Sequence, residues 1–100
     1  MNEPTYKVLK LTNGENIICL ASNELIDGKY EIELPLKMEV ISRPTKNGSV
    51  ESLNLSRWIG PYTEETIFSI KESHILLIAA ASEGLIRYYD HAVKEMEQWN

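Results

Sequence analysis

The stretch that decides the fold is Lys10-Leu11-Thr12-Asn13-Gly14-Glu15-Asn16-Ile17-Ile18-Cys19-Leu20. Asn and Gly both tolerate positive φ, so Asn13-Gly14 predicts a tight hairpin turn. Its flanks predict strands over residues 5–11 and 16–22. Val8, Leu9 and Leu11 supply the apolar content of the first. In the second, Ile17, Ile18, Cys19 and Leu20 are continuous rather than alternating, which predicts apolar contacts on both faces.

After a loop at 23–28, alternation becomes long and regular. Tyr30, Ile32, Leu34, Leu36, Met38 and Val40 are expected on one face, and Glu31, Glu33, Lys37 and Glu39 on the other. A strand this long must bend to stay in a small domain. Pro35 sits mid-run, where it removes a ladder donor and predicts a bulge or an unpaired edge. Arg43 to Ser49 reads as a hairpin loop turning at Asn47-Gly48, and residues 50–58 as the returning strand. Ile59-Gly60-Pro61 interrupts that strand, and Ile67, Phe68 and Ile70 resume it. Lys71-Glu72-Ser73 is a short turn before a last, almost wholly apolar strand at 74–81.

The period then changes. Leu85, Ile86, Tyr89, Ala92, Val93, Met96 and Trp99 recur at helical spacing, predicting a helix over 83–98 with Ser82 as its N-cap. Glu83/Arg87 and Asp90/Lys94 are i,i+4 pairs in the favourable order. The apolar stripe has to bury against the sheet or a neighbouring subunit. Short hairpins and one helix predict a mainly β fold: a small, strongly bent five-stranded antiparallel barrel at 5–81 with a C-terminal α-helix, in one domain. Open strand edges on such a barrel invite pairing between subunits.

Composition limits the function. The 100 residues carry 10 Lys and Arg against 15 Asp and Glu, a net charge of −5. An acidic chain binds nucleic acid only where its cations gather on one surface or are multiplied by assembly. Cys19 is the single cysteine, so no internal disulfide forms, and a reducing compartment is expected. The first residues lack the basic and apolar regions of a signal peptide, and the longest apolar run, Ile75 to Ala81, is too short to span a bilayer. No membrane association is expected. No cofactor, metal or catalytic residue is expected either. Cys19 lies in an apolar strand, His74 and His91 are the only histidines, and no Gly-rich phosphate loop opens a helix.

The order of elements resembles the Sm/LSm family, small bent barrels that assemble into rings and bind RNA. In particular it resembles an Sm-like group from marine metagenomes, of cyanophage origin. Leu11, Gly14 and Ile17 fit the spacing of the family's first motif. Cys19 and Ala21 stand where the family prefers Gly and a large apolar residue, and Asn23 and Asp27 lie near its loop Asp and Asn. Ile70-Lys71-Glu72-Ser73-His74-Ile75 keeps the apolar ends and the basic second residue of the other motif, with Glu72 in place of Gly.

The resemblance implies a homo-oligomeric ring of roughly five to seven subunits. It places Asn23, Lys29, Lys71 and His74 at the pore, where single-stranded RNA or DNA would bind. Arg57-Trp58 with Tyr62 is a second expected stacking surface for bases. With a phage origin, the compartment implied is the cytoplasm of the bacterial host. The alternative, favoured by the acidic charge, the strand edges and the helix stripe, is an oligomeric scaffold that binds no nucleic acid.

Overall fold

A computed structural model describes residues 5–97. Six strands and one helix follow in order: β1 (Thr5–Leu11), β2 (Asn16–Ala21), β3 (Lys29–Thr45), β4 (Gly48–Arg57), β5 (Ile67–Lys71), β6 (Ile75–Ala80) and α1 (Glu83–Glu97). Every strand pairing is antiparallel. The sheet order is β4-β3-β2-β1-β6, and β5 also pairs with β3.

β4 lies opposite residues 36–45 of β3, and β5 opposite residues 29–33. The two therefore follow one another along the same edge of β3. Five strands were expected from the sequence, and the sixth arises because one of them is broken in two. The break is the segment 58–66, which contains a 3-10 turn at Gly60–Tyr62. Gly60 takes a φ of +71°, a conformation that suits glycine.

The first hairpin forms as its turn residues dictate. Gly14 has a φ of +93°, and its N–H donates to the Leu11 carbonyl at 2.9 Å. The sheet then curls. Thr12, which precedes β2, donates its N–H to the carbonyl of His74 at 3.0 Å, and Glu72 donates its N–H to Gly28, which follows β2, at 2.9 Å. One 3-10 turn, Glu72–His74, thus ties together segments from opposite ends of β2.

β2 buries both faces, as its continuous apolar run predicts. Ile17, Cys19 and Ala21 join Leu9, Leu11, Ile32 and Ile70 in an inner core made by strands alone. Ile18 joins Leu36, Leu55 and Tyr89 in a second core between the sheet and α1. Burying each large aliphatic side chain contributes about 1.5–3 kcal/mol before entropy is counted.

The long alternation of β3 does not stay on one face. Ile18 pairs with Leu36, but Leu20 pairs with Glu33, so β3 carries one extra residue opposite Cys19. That extra residue is a bulge at Leu34-Pro35, where Leu34 takes a φ of +51°. Tyr30 and Ile32 therefore pack into the inner core, while Leu34, Leu36 and Met38 pack on the helix side. The expected single apolar face is corrected: a one-residue slip moves every following side chain to the other surface. Val40 belongs to neither core and is 65% exposed. Pro35 sits in the bulge, where its missing N–H leaves no ladder bond unmade.

The backbone freed by the bulge is satisfied from elsewhere. Leu34 N–H donates to the Thr66 carbonyl at 2.7 Å, and Trp58 N–H donates to Pro35 at 3.2 Å. The Tyr89 hydroxyl, on a fully buried ring of α1, donates to the Leu34 carbonyl at 2.7 Å. Burial pushes the Tyr89 hydroxyl well above its ordinary pKa, so it remains a donor. The helix is thus bonded to the bulge as well as packed on it.

Beyond Met38, β3 has no partner but β4 among the described residues. The two strands run on as a ribbon to Thr45 and Gly48, so the loop expected over Arg43 to Ser49 shrinks to Lys46 and Asn47. Val40, Ile41 and Val50 are exposed along this ribbon.

α1 begins as expected, with Leu85 N–H donating to Ser82 Oγ at 3.3 Å. Neither expected ion pair forms. Asp90 instead accepts the Tyr6 hydroxyl at 2.9 Å, and the helix's one ion contact among the described residues is His91–Glu95 at 3.1 Å. Tyr89 packs in the core, whereas Tyr88 is partly exposed and donates its hydroxyl to the Leu53 carbonyl at 2.8 Å. Trp99 and the last expected helical residue lie outside the described residues. No helix among the described residues is long and apolar enough to cross a membrane.

Candidate nucleic-acid interface

The curl of the sheet gathers charge at one corner. Lys29 begins β3 and Lys71 ends β5, and the register sets them directly opposite each other. Side chains so placed have Cβ atoms about 4.5–5.5 Å apart, and like charges at that spacing repel. Both lysines are exposed, and no carboxylate among the described residues lies within ion-pair distance of either. The repulsion is relieved when an anion sits between them.

The 3-10 turn Glu72–His74 continues directly from Lys71. His74 is exposed and lines a shallow hollow with Leu11, Thr12, Asn13, Trp58 and Ile70. A cation pair thus stands at the start of this turn, and an imidazole beside a hollow at its end. Asn23 lies elsewhere, at the far end of its loop. It is within hydrogen-bond distance of the Thr5 hydroxyl at 3.2 Å, so it stands beside the start of β1.

Glu15 organises the neighbouring wall. The Asn13 amide donates to Oε1 of Glu15 at 2.7 Å, the Trp58 indole N–H donates to the same oxygen at 3.3 Å, and Lys37 lies 3.6 Å from Oε2. The Asn13 amide is the largest influence holding this carboxyl below its ordinary pKa. Partial burial opposes it, and the Trp58 and Lys37 contacts reinforce it.

The second expected surface is dispersed. Arg57 is half-buried and donates from Nη2 to the Thr63 carbonyl at 2.8 Å. Trp58 packs against the inner core and meets Phe68 edge-on, with ring centroids 6.2 Å apart. Tyr62 stands 87% exposed in the segment between β4 and β5. Of the three residues, only Tyr62 offers an open ring to solvent. Arg57 and Trp58 instead form part of the wall of a cavity that the sequence did not reveal. That cavity depends on α1 folding back over the end of β4, and no local pattern signals such a long-range contact.

Cys19 has no exposed surface, and burial pushes its thiol up to about 12. It contributes volume to the core, not a nucleophile at neutral pH.

No curated protein matches the sequence. A model of the Sm-like domain matches residues 8–90, a span reaching from β1 into α1. The mainly antiparallel β architecture agrees with that match. The chain belongs to the Sm-like domain family.

Proposed function

We propose that this chain assembles into a homo-oligomeric ring and binds single-stranded nucleic acid, RNA first, at the corner formed by Lys29, Lys71 and His74. The observation that carries the reading is the cross-strand Lys29–Lys71 pair, free of carboxylate partners among the described residues, on an acidic protein. Repeated around a ring, two lysines per subunit make a local cationic annulus despite the net charge of −5. The phosphate backbone would bridge the lysines, and a base would stack on or hydrogen-bond to the imidazole.

Assembly is supported by β6. Its sequence, Ile75-Leu76-Leu77-Ile78-Ala79-Ala80, holds no charge, and Leu76 and Leu77 are 67% and 58% exposed. Among the described residues only β1 pairs with it, which leaves its other edge open. β5 likewise pairs, among the described residues, only with β3. Five residues of β5 against six of β6 make a matched pair of edges for successive subunits. This reading extends to a phage origin within the marine Sm-like group, to work in the cytoplasm of a bacterial host, and to a role without catalysis.

Fluorescence polarisation with oligo-U, oligo-A and single-stranded DNA, at low and at physiological salt, tests the binding. Affinity should fall steeply with salt. Lys71→Ala should weaken binding about tenfold and flatten the salt slope. Absence of binding at low salt would favour the second reading, an assembly scaffold without nucleic acid, which the net acidic charge supports. Light scattering during size exclusion tests the ring. A monomer would remove the annulus on which the binding argument rests.

A further inference from the structure

Where β3 bulges, β4 ends and α1 crosses over, the fold leaves a cavity of about 100 Å3 with an open mouth. Its walls are mostly apolar, built by Leu34, Pro35, Trp58, Phe68, Val93 and Met96. One wall group is a cation. Arg57 is half-buried, and the only hydrogen bond of its guanidinium among the described residues goes to the Thr63 carbonyl. A guanidinium has five N–H donors, so most of this one is unused. No carboxylate among the described residues lies within ion-pair distance of it. Glu64 and Glu65 also border the cavity, but both are exposed.

A partly desolvated guanidinium beside an apolar hole favours a ligand that is apolar at one end and anionic at the other. Size narrows the apolar end. A dry cavity of roughly 150 Å3 accommodates a benzene ring. At about 100 Å3 this one admits a branched aliphatic group and leaves too little room for a nucleobase. Charge narrows the other end. The rim glutamates repel a phosphate dianion more than a carboxylate, and the planar fork of arginine matches a carboxylate in two parallel hydrogen bonds.

The geometry points to a binding site for a branched aliphatic carboxylate, with its hydrocarbon in the cavity and its carboxylate on Arg57. Two sources carry that chemistry: a free short-chain acid, or the C-terminal leucine of a peptide. The site is built from different residues than the Lys29–Lys71 corner, so it stands whether or not nucleic acid binds there.

The test is a titration of the nitrogen-15-labelled full chain, followed by the Trp58 indole N–H signal. The probes are 4-methylpentanoate, its neutral amide, a pentapeptide ending in leucine, and uridine monophosphate. At least one of the two carboxylate probes should shift the signal saturably. The amide should bind about tenfold more weakly than the acid, the loss expected for one charge-assisted contact. Arg57→Gln should weaken the carboxylates about tenfold and leave the amide unchanged. If that change disturbs the fold, Val93→Phe, which fills the cavity from α1, should abolish binding of both carboxylates. Tighter binding of the free acid identifies a metabolite as the source, and tighter binding of the peptide identifies a chain terminus. The proposal fails if the amide binds as tightly as the acid, if uridine monophosphate displaces the acid, or if binding survives Val93→Phe. It also fails if neither carboxylate shifts the signal at about 20 mM, the range of the weakest specific contacts.

Discussion

The two faces of the sheet are stabilised in different ways. The inner core is made by β1, β2, β3 and β5, and strand pairing alone brings its residues together. The outer core exists only because α1 folds back on the sheet, and its centre is Tyr89, whose hydroxyl donates to the bulge carbonyl of Leu34. The first is held by shape and hydrophobicity. The second adds a directional bond that specifies where the helix must lie. A core with one buried polar contact is more selective about geometry, and it loses more when that contact is half removed.

Three changes test this contrast. The largest effect is expected for Ile32→Ala, which opens a cavity in the strand-only core. It should cost about 2–5 kcal/mol and lower the urea midpoint for the whole chain. Tyr89→Phe keeps the ring but strands a buried carbonyl, at a cost of about 1–3 kcal/mol. Hydrogen exchange distinguishes the outcomes here. Faster exchange confined to α1 would mean that the outer core opens independently, and an equal rise in β1 and β2 would mean that the two cores are one cooperative unit.

The smallest effect is expected at Glu15, on the rim of the inner core. Its carboxyl is held below the ordinary value of 4.5, chiefly by the Asn13 amide. The unfolded chain therefore takes up a proton at Glu15 before the folded chain does. The stability from this group is present above 4.5 and is lost as pH falls through the lower, folded-state value. Urea melts of Glu15→Gln should accordingly show a shallower loss of stability below that pH than the unaltered chain. Identical acid slopes would show that the Glu15 carboxyl takes up its proton at the same pH in the folded and unfolded chain, so that these contacts do not hold it down.

Much of this was legible in the sequence, for identifiable reasons. Asn13-Gly14 fixes a turn because few residues tolerate its backbone angles. The unbroken Ile17-Ile18-Cys19-Leu20 run declared two buried faces before either core was visible. The stripe from Leu85 to Met96 declared a helix that needed a partner. The change of face in β3 was hidden because the alternation continues without a gap across it, and because the residue with positive φ is Leu34, not glycine. Only Pro35 hinted at it. For the site, Lys71 and His74 were visible through their motif. The resemblance also set Lys29 with them, and the strand register adds that it lies directly opposite Lys71; the cavity beside Arg57 needed the tertiary path of α1. The expected Asp90–Lys94 pair failed because Asp90 had a nearer partner in Tyr6, a residue 84 positions away.

The extra residue in β3 behaves like a frameshift in a message whose words still parse. Upstream of Leu34 the even-numbered side chains address the interior, and downstream they address the helix. Deleting Leu34 would restore a single frame. Leu36 would keep Ile18 as its partner and Met38 its place under α1, but Tyr89 would lose the carbonyl it binds. Among the described strands the reading shift falls on the longest, β3. Here it is one residue long, and the helix hydroxyl is bonded to the spot.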